Sequence, residues 1–286
     1  MKLSIIIVTW NVKDYLKKCL ESIYKNQGDL DVEVIVVDNA STDNTSDMAR
    51  REFPKVKLIT NQNNNGFAKA NNQGIKIAKG EYVLFLNPDT EILSNTFKDS
   101  IDFFEKHKDT GAVGCQILNT DSTIQRSVRR FPTFWSQMLI LYKLHHLLPS
   151  LRTFRNYFAQ DFDYSKESEV DQIMGAFILT KRDIINKIGD FDEIFYLWFE
   201  EVDFCKRLIK NEYKVYYTPK AKIIHHGSLS FNQKLTVEKQ KIFNKSMRYY
   251  FKKHHNKFSW FMIASTHFDS LFLAFFAGLF KKKNGN

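Results

Sequence analysis

Asp89 follows an apolar run, Leu84 to Leu86, that stops abruptly at Asn87-Pro88. Pro88 cannot donate a ladder hydrogen bond and drives Asn87 out of helical geometry, so a strand has to end there. In open α/β sheets ligands bind in the crevice past the carboxyl ends of the strands, which is where this places Asp89. Further polar clusters, Thr9-Trp10-Asn11, Asp38-Asn39-Ala40-Ser41 and Asn61 to Gly66, follow other apolar runs. Turn chemistry or helix capping explains any one of them alone. Clusters repeated at one edge of one sheet describe a rim that can hold a nucleoside. A carboxylate would accept from a pyrimidine N3–H, amides would hold the ribose, and a carboxylate would carry a metal on the diphosphate.

A second concentration of reactive groups is Phe199-Glu200-Glu201-Val202-Asp203, set among Phe191, Phe195, Tyr196, Leu197, Trp198, Phe204 and Leu208. It reads as the first turn of an amphipathic helix, where acids favour the amino terminus and Asp203 and Arg207 form an i,i+4 pair. Chemistry needs a single well-placed base from Glu200, Glu201 and Asp203. Aromatic burial would raise a carboxyl pKa here, while the helix terminus and a metal would lower it.

These groups need elements to position them. Leu3 to Thr9, Val32 to Val37, Lys57 to Thr60 and Tyr82 to Leu86 read as strands; Val12 to Tyr24, Ser41 to Arg50 and Ala68 to Ala78 read as helices. Apolar strands without polar alternation, separated by helices, predict a doubly wound, mainly parallel sheet covered on both faces.

The 286-residue chain is 43% hydrophobic and 26% charged, enough for one large core or two modest ones. Cys19, Cys115 and Cys205 stand far apart, which suggests neither a disulfide framework nor a zinc site and fits a reducing compartment. The opening MKLSIIIVTWN has no small-residue cleavage site before Asn11, Lys13 and Asp14 and reads as a first strand rather than a leader. Of the net charge of +10, Ser122 to Gln160 carries +6 without an acidic residue and Lys239 to Asn286 carries +9, so the remainder is −5. Basic segments of that kind, rich in aromatic and aliphatic residues, seek an anionic surface.

The blocks SIIIVTWN, VIVVDNASTDNT, NNNGFAKANNQGI, GEYVLFLNPDTEI, GAFILTKRDIINKIGDFDEIFYLWFEEVDFCKRL and AKIIHHGSLS, in this order over about residues 3 to 232, resemble the family 2 glycosyltransferases, in particular the rhamnosyltransferase-like group. The resemblance implies a GT-A fold with a mixed, mainly parallel sheet. It also implies transfer of a sugar from a UDP- or dTDP-linked donor to a lipid-linked or cell-surface glycan. By the same resemblance Asp38, Thr9 and Asn11 contact the base, and Asn65 and Gly66 line its pocket. Asp89 matches the last Asp of the family's DxD motif and Asn87 stands at its first position, so metal binding (Mg2+ or Mn2+) rests more on Asp89, the diphosphate and His225. Glu201 takes the place of the catalytic Asp, with Glu200 its neighbour and competitor. One base and no paired nucleophile imply direct displacement with inversion at the sugar carbon.

The basic segments locate the acceptor. Trp135 to Leu148 reads as a helix whose face carries Trp135, Met138, Leu139, Tyr142 and Leu147. Leu271 to Phe280 is apolar but only about 15 Å long as a helix, against a hydrocarbon core of about 30 Å. With Lys281 to Lys283 at the headgroups, it reads as an interfacial anchor on the cytoplasmic membrane face, or alternatively as an amphipathic helix closing the core or a homo-oligomer interface. The expected division is a glycosyltransferase domain over 1–235, with a nucleotide-sugar half (1–120) and an acceptor half (121–235), and a membrane-associating tail over 236–286. Two other classes compete. A sugar nucleotidyltransferase calls for a Gly-rich basic loop after the first strand, and VTWNVKDYLKKC has no glycine. A nucleic-acid-binding protein would explain the charge, but the basic segments flank aliphatic runs and the polar rim lies in the acidic remainder, so no nucleic acid is expected.

Overall fold

The computed structural model describes residues 2–227, 236–266 and 269–272. Its centre is a nine-stranded sheet in the order β3-β2-β1-β4-β8-β6-β9-β5, with β7 also paired to β9. The strands are β1 (Leu3–Thr9), β2 (Val32–Asp38), β3 (Lys57–Thr60), β4 (Tyr82–Leu86), β5 (Thr90–Ile92), β6 (Thr110–Leu118), β7 (Ser168–Glu169), β8 (Phe177–Lys181) and β9 (Lys214–His225). β3, β2, β1 and β4 run parallel, β8 runs against both β4 and β6, and β9 runs parallel to β6. The sheet is therefore mixed and mainly parallel, as expected. The apolar strands of the first half are buried through nearly their whole length, as strands covered on both faces must be.

Helices α1 (Lys13–Asn26), α2 (Thr45–Glu52), α3 (Phe67–Ile77) and α4 (Thr96–Lys106) make the crossovers of the first half. α2 begins four residues later than the periodicity suggested, because the polar run before it forms a turn network instead. Ser41 N donates to Asp38 Oδ1 at 2.9 Å and Thr42 N to Asn11 Oδ1 at 2.7 Å, and Asn44 sits at φ 63°. All three cysteines are buried free thiols.

In the second half, α5 (Phe134–Leu141), α6 (Leu144–Leu147) and α7 (Arg152–Tyr157) precede β7, α8 (Arg182–Ile188) follows β8, and α9 (Glu200–Lys210) precedes β9. The single helix expected over Trp135 to Leu148 is broken at Lys143, whose φ is 60°. The buried side of α5 carries Ser136, Gln137 and Leu141, while Trp135 and Leu147 are 67% and 75% exposed. Two longer helices follow β9 in the described residues, α10 (Thr236–His254) and α11 (Lys257–Ser265).

The described residues form two apolar clusters. The larger surrounds the sheet; the smaller joins Leu141 of α5, Phe195, Phe199 and Val202 around the start of α9, Met247, Tyr250 and Phe251 of α10, and Ile263 of α11. α10 thus packs against the segment that carries Glu200 and Glu201, and residues 236–254 share a core with the region assigned to the preceding domain. The run from Leu273 to Phe280 and Lys281 to Lys283 lies outside the described residues.

One close approach in the central sheet is open to direct measurement. A Cβ on Gly80, just before β4, would come 2.4 Å from Ser4 N and 2.7 Å from Leu3 C, both backbone atoms of β1. Gly80→Ala is expected to lower stability by about 1–3 kcal/mol, the usual range for overpacking. The urea midpoint should fall with an unchanged slope, and an unaltered midpoint would refute the close approach.

Candidate active site

The carboxyl ends of β1, β2 and β4 and the turn before α9 enclose a cavity of about 390 Å³. It is lined by Thr9, Asn39, Asn64, Gly66, Asn87, Asp89 and His225 together with Ser127, Arg129, Gln172, Glu200, Glu201 and the aromatic residues Tyr157, Trp198, Phe199 and Phe243. Of the residues singled out in the sequence, Thr9, Gly66, Asn87, Asp89, Glu200, Glu201 and His225 meet here. Asn11, Asp38, Asn65 and Asp203 do not line it. Asn11 and Asp38 are engaged in the turn network behind the strand ends, and the second Asp38 oxygen accepts from the Ser46 hydroxyl.

Asn39 organises the loop that supplies the rest of this wall. Its Nδ2 donates to Gly66 O at 3.0 Å, and its Oδ1 accepts from Asn61 Nδ2 at 2.9 Å. Gly66 has φ 80°, and a Cβ there would lie 2.3 Å from Tyr196 O, so glycine alone lets the loop meet the 196 segment. Thr9 Oγ1 is buried without a hydrogen-bond partner.

Strand register brings Asp89 and His225 together. β5 pairs antiparallel with β9 so that Thr90 lies opposite His225, and His226 N donates to Asp89 O at 2.9 Å. His225 Nε2 is then 3.3 Å from Asp89 Oδ1 and 3.4 Å from Asn87 Nδ2. The other ring nitrogen, Nδ1, is 2.7 Å from Gln125 Oε1, whose amide nitrogen donates to Asn119 Oδ1 at 3.0 Å. With that oxygen as acceptor, Nδ1 is the donor, and Nε2 faces the Asp89 carboxylate, where a neutral ring presents its lone pair. Two acceptors facing one another across such a gap suit a cation, and the Gln125 contact is the kind of outer partner that orients a ligating histidine. Among the described residues no three His, Cys, Asp or Glu side chains gather in one place, so a metal here would take its other ligands from diphosphate and water. His226 is committed elsewhere: its Nε2 lies 2.7 Å from Glu91 Oε1 and its ring packs on Tyr15.

Elsewhere in the lining, α9 begins directly after two left-handed aromatic residues, Trp198 at φ 66° and Phe199 at φ 70°. Each such residue costs on the order of 1–3 kcal/mol and persists only where its surroundings over-determine it. Glu200 and Glu201 follow, and the Oε2 atoms of both are buried without hydrogen-bond partners. Burial raises both carboxyls. The neighbouring Glu201 charge pushes Glu200 up further, whereas backbone N–H groups of the helix start and the Arg129 guanidinium draw Glu201 down. Of the two, Glu200 therefore holds its proton more tightly than Glu201.

Asp203, one of the three candidate bases, has a different place. It is fully buried outside the cavity, with Arg207 Nε at 2.8 Å, Lys253 Nζ at 2.8 Å and His254 Nε2 at 2.7 Å. These partners, His254 foremost, outweigh its desolvation and hold its carboxyl far below the usual range, so it cannot take up a proton at working pH. Sequence reading also passed over Gln125, Arg129 and Phe243 as parts of this site. Arg129 lay in a recognised basic run, but nothing local distinguishes the other two, which arrive by strand pairing and helix packing.

Because the folded state keeps a proton on Glu200 at pH values where the unfolded chain has lost it, unfolding releases a proton and stability falls as pH rises out of the usual carboxylate range. Glu200→Gln is accordingly expected to melt higher than the parent at pH 8, by about 2–4 °C for each kcal/mol relieved, with the difference vanishing near pH 4. Thermal scans at the two pH values test this; a variant less stable at pH 8 would contradict the buried-pair description.

The sequence model of the family described as "Glycosyl transferase family 2" matches residues 4–189. N-acetylglucosaminyl-diphospho-decaprenol L-rhamnosyltransferase of Mycobacterium tuberculosis is 27% identical over 242 residues, 80% of this chain and 77% of its own. Poly(ribitol-phosphate) beta-N-acetylglucosaminyltransferase TarS of Staphylococcus aureus is 36% identical over 111 residues, 37% of this chain and 19% of its own. Among solved structures, mannosyltransferase PcManGT from Pyrobaculum calidifontis, in complex with GDP-Man and Mn2+, aligns with a TM-score of 0.59 at 16% identity over 100% of this chain and 76% of its own. A crystal structure of TarS aligns with a TM-score of 0.54 at 19% identity, over 88% and 72%. Strand order, cavity and family match converge: this chain belongs to glycosyl transferase family 2 and is a glycosyltransferase of GT-A fold.

Proposed function

We propose that this glycosyltransferase inverts the configuration of the sugar it moves, depends on a divalent metal (Mg2+ or Mn2+), and transfers from a UDP- or dTDP-linked donor to a lipid-linked or cell-surface glycan. Rhamnose is the sugar offered by the name of its mycobacterial relative, and a diphospholipid acceptor by the same name. The observation that carries the reading is that one cavity is lined both by the Asp89–His225 pair and by Glu200 and Glu201, whose Oε2 atoms are buried without hydrogen-bond partners.

In this scheme the nucleoside lies along Thr9, Asn39, Asn64 and Gly66. Asp38, Asn11 and Asn65, which do not line the cavity, would contact the base only where the nucleoside extends beyond it. A divalent cation held by Asp89 and His225 would offset the charge developing on the leaving diphosphate. Glu201 accepts the proton of the attacking acceptor hydroxyl, while protonated Glu200 contributes no competing charge. Trp198, Phe199 and Phe243 exclude water from the reacting centre, which strengthens every electrostatic contact inside. Of the carboxylates lining the cavity, Asp89 is committed to the metal and Glu200 to its proton, which leaves no second nucleophile for a double displacement.

The acceptor reading draws on the outer surface. α5 and α11 pack together, with the Phe134 ring 6.5 Å from that of Phe258, and Trp135, Phe258 and Phe261 stand 67%, 67% and 63% exposed in the two basic segments. No helix among the described residues is long and apolar enough to cross a membrane. Peripheral contact with an anionic cytoplasmic leaflet suits aromatic side chains interleaved with Lys and Arg.

Turnover of dTDP-rhamnose and UDP-GlcNAc with manganese or magnesium tests the chemistry. Asp89→Ala is expected to lose about two or more orders of magnitude in kcat. Glu201→Gln should abolish turnover with donor affinity changed only a few-fold. Full activity of Asp89→Ala in excess EDTA would remove the metal from the scheme, and an active Glu201→Gln beside a dead Glu200→Gln would move the base by one residue. For the surface, a Trp135→Ser, Phe258→Ser, Phe261→Ser variant is expected to leave anionic vesicles that retain the parent; equal sedimentation of both would discard this face as the docking site.

A further inference from the structure

The turn that presents Glu201 is held by α10, which lies wholly beyond the family-matched residues 4–189. The Ser246 hydroxyl donates to Leu197 O at 2.8 Å. The Phe243 ring packs on Trp198 and Phe199, with centroids 5.4 Å and 5.6 Å away, and Tyr250 packs on Phe199 at 5.3 Å. Lys253 Nζ joins two carboxylates, Asp192 Oδ2 at 2.7 Å and Asp203 Oδ1 at 2.8 Å, so one ammonium ties the start of the aromatic segment to the first turn of α9. Tyr249 OH donates to the same Asp192 oxygen at 2.9 Å. From within α9, Arg207 reaches back to the carbonyls of Ile188, Gly189 and Asp190 while holding Asp203.

Two consecutive bulky residues at positive φ have no local reason to stay there, since neither is glycine nor asparagine. An outside body has to impose that geometry, and α10 is the body in contact with it on both sides. We propose that α10 is a positioning element of the transfer reaction: Lys253, acting through Asp203 and Asp192, and Ser246, acting through Leu197, keep the turn strained and Glu201 at the cavity wall. Asp203 is then a positioning residue rather than a base. The inference rests on the assignment of Glu201 as the base, and misplacement of a reacting group by about 1 Å is enough to cost about a hundredfold in rate.

The test compares Lys253→Met, Lys253→Arg and Ser246→Ala in the full chain. Turnover is read with dTDP-rhamnose or UDP-GlcNAc and a short-chain GlcNAc-diphosphate lipid, and amide exchange is read over residues 197–203 and over β1 and β4. Lys253→Met should lower kcat about tenfold or more while donor KM stays within about twofold, and Lys253→Arg should restore kcat to within about threefold. Exchange should rise at 197–203 and remain unchanged in β1 and β4. Ser246→Ala, which removes only a hydroxyl, should show the same pattern at smaller size and serves if Lys253→Met does not fold. The proposal is overturned if kcat and local exchange match the parent, or if donor KM rises in proportion with faster exchange throughout the sheet. If the parent turns over neither donor, the reading of the site fails on its own, and exchange at 197–203 alone decides whether α10 holds the turn.

Discussion

Two adjacent glutamates held inside a protein carry a desolvation cost, which a proton on one of them lessens and which the second half of the molecule keeps in place. A helix would relieve it by fraying its first turn into water. Here that route is closed: Trp198 and Phe199 are forced into left-handed geometry just ahead of the pair, and Asp203, one turn on, is locked among Arg207, Lys253 and His254. An ion cluster as dry as this one adds little net stability compared with apolar packing. Its effect is on direction, because it sets where α9 starts and which way its first turn faces.

The Asp89–His225 pair rests on a different kind of constraint. Asp89 and His225 are 136 positions apart in the chain, yet they are brought within 3.3 Å by the antiparallel pairing of a three-residue strand with a twelve-residue one. Backbone register is a stiff way to place a pair of ligands, since a slip of one residue would turn His225 out and bring His226 in. His226 is held in its outward place by Glu91, which secures the register from the other side. Sheet geometry thus fixes the Asp89–His225 pair, and helix packing fixes the turn that carries Glu200 and Glu201.

The smaller apolar cluster connects this arrangement to the molecular surface. Leu141 and Ile263 enter it from α5 and α11, the helices whose outer sides expose Trp135, Phe258 and Phe261, while Phe199 and Val202 enter it from the segment bearing the carboxylates. One continuous packed body therefore runs from the basic, aromatic exterior to the cavity wall, which suits an acceptor whose sugar enters the cavity while its lipid stays outside.

Much of the donor half was legible in the amino-acid sequence. Runs such as SIIIV and VEVIVV have no alternation and can only be buried parallel strands, and Asn87-Pro88 marks a strand end with a carboxylate one residue beyond it. Those are short-range properties, fixed by backbone sterics and side-chain polarity. The Glu200–Glu201 pair was equally visible, but not which member holds its proton more tightly, because that depends on Arg129, brought in from some seventy positions upstream. Asp203 looked like a third candidate base until tertiary packing surrounded it with cations from α9 and α10. The helix expected over Trp135 to Leu148 broke at Lys143, and its most exposed apolar residues belong to the face that periodicity had marked as a single stripe. The strongest departure concerns α10: its charged, aromatic sequence reads as part of a separate tail, and only folding puts Phe243 in the cavity wall and Lys253 on Asp203. The sequence by itself determined where strands end and which side chains could react; the tertiary structure alone decided which of them share a cavity and which holds its proton more tightly, because desolvation and Coulomb interactions depend on neighbours that no local pattern records.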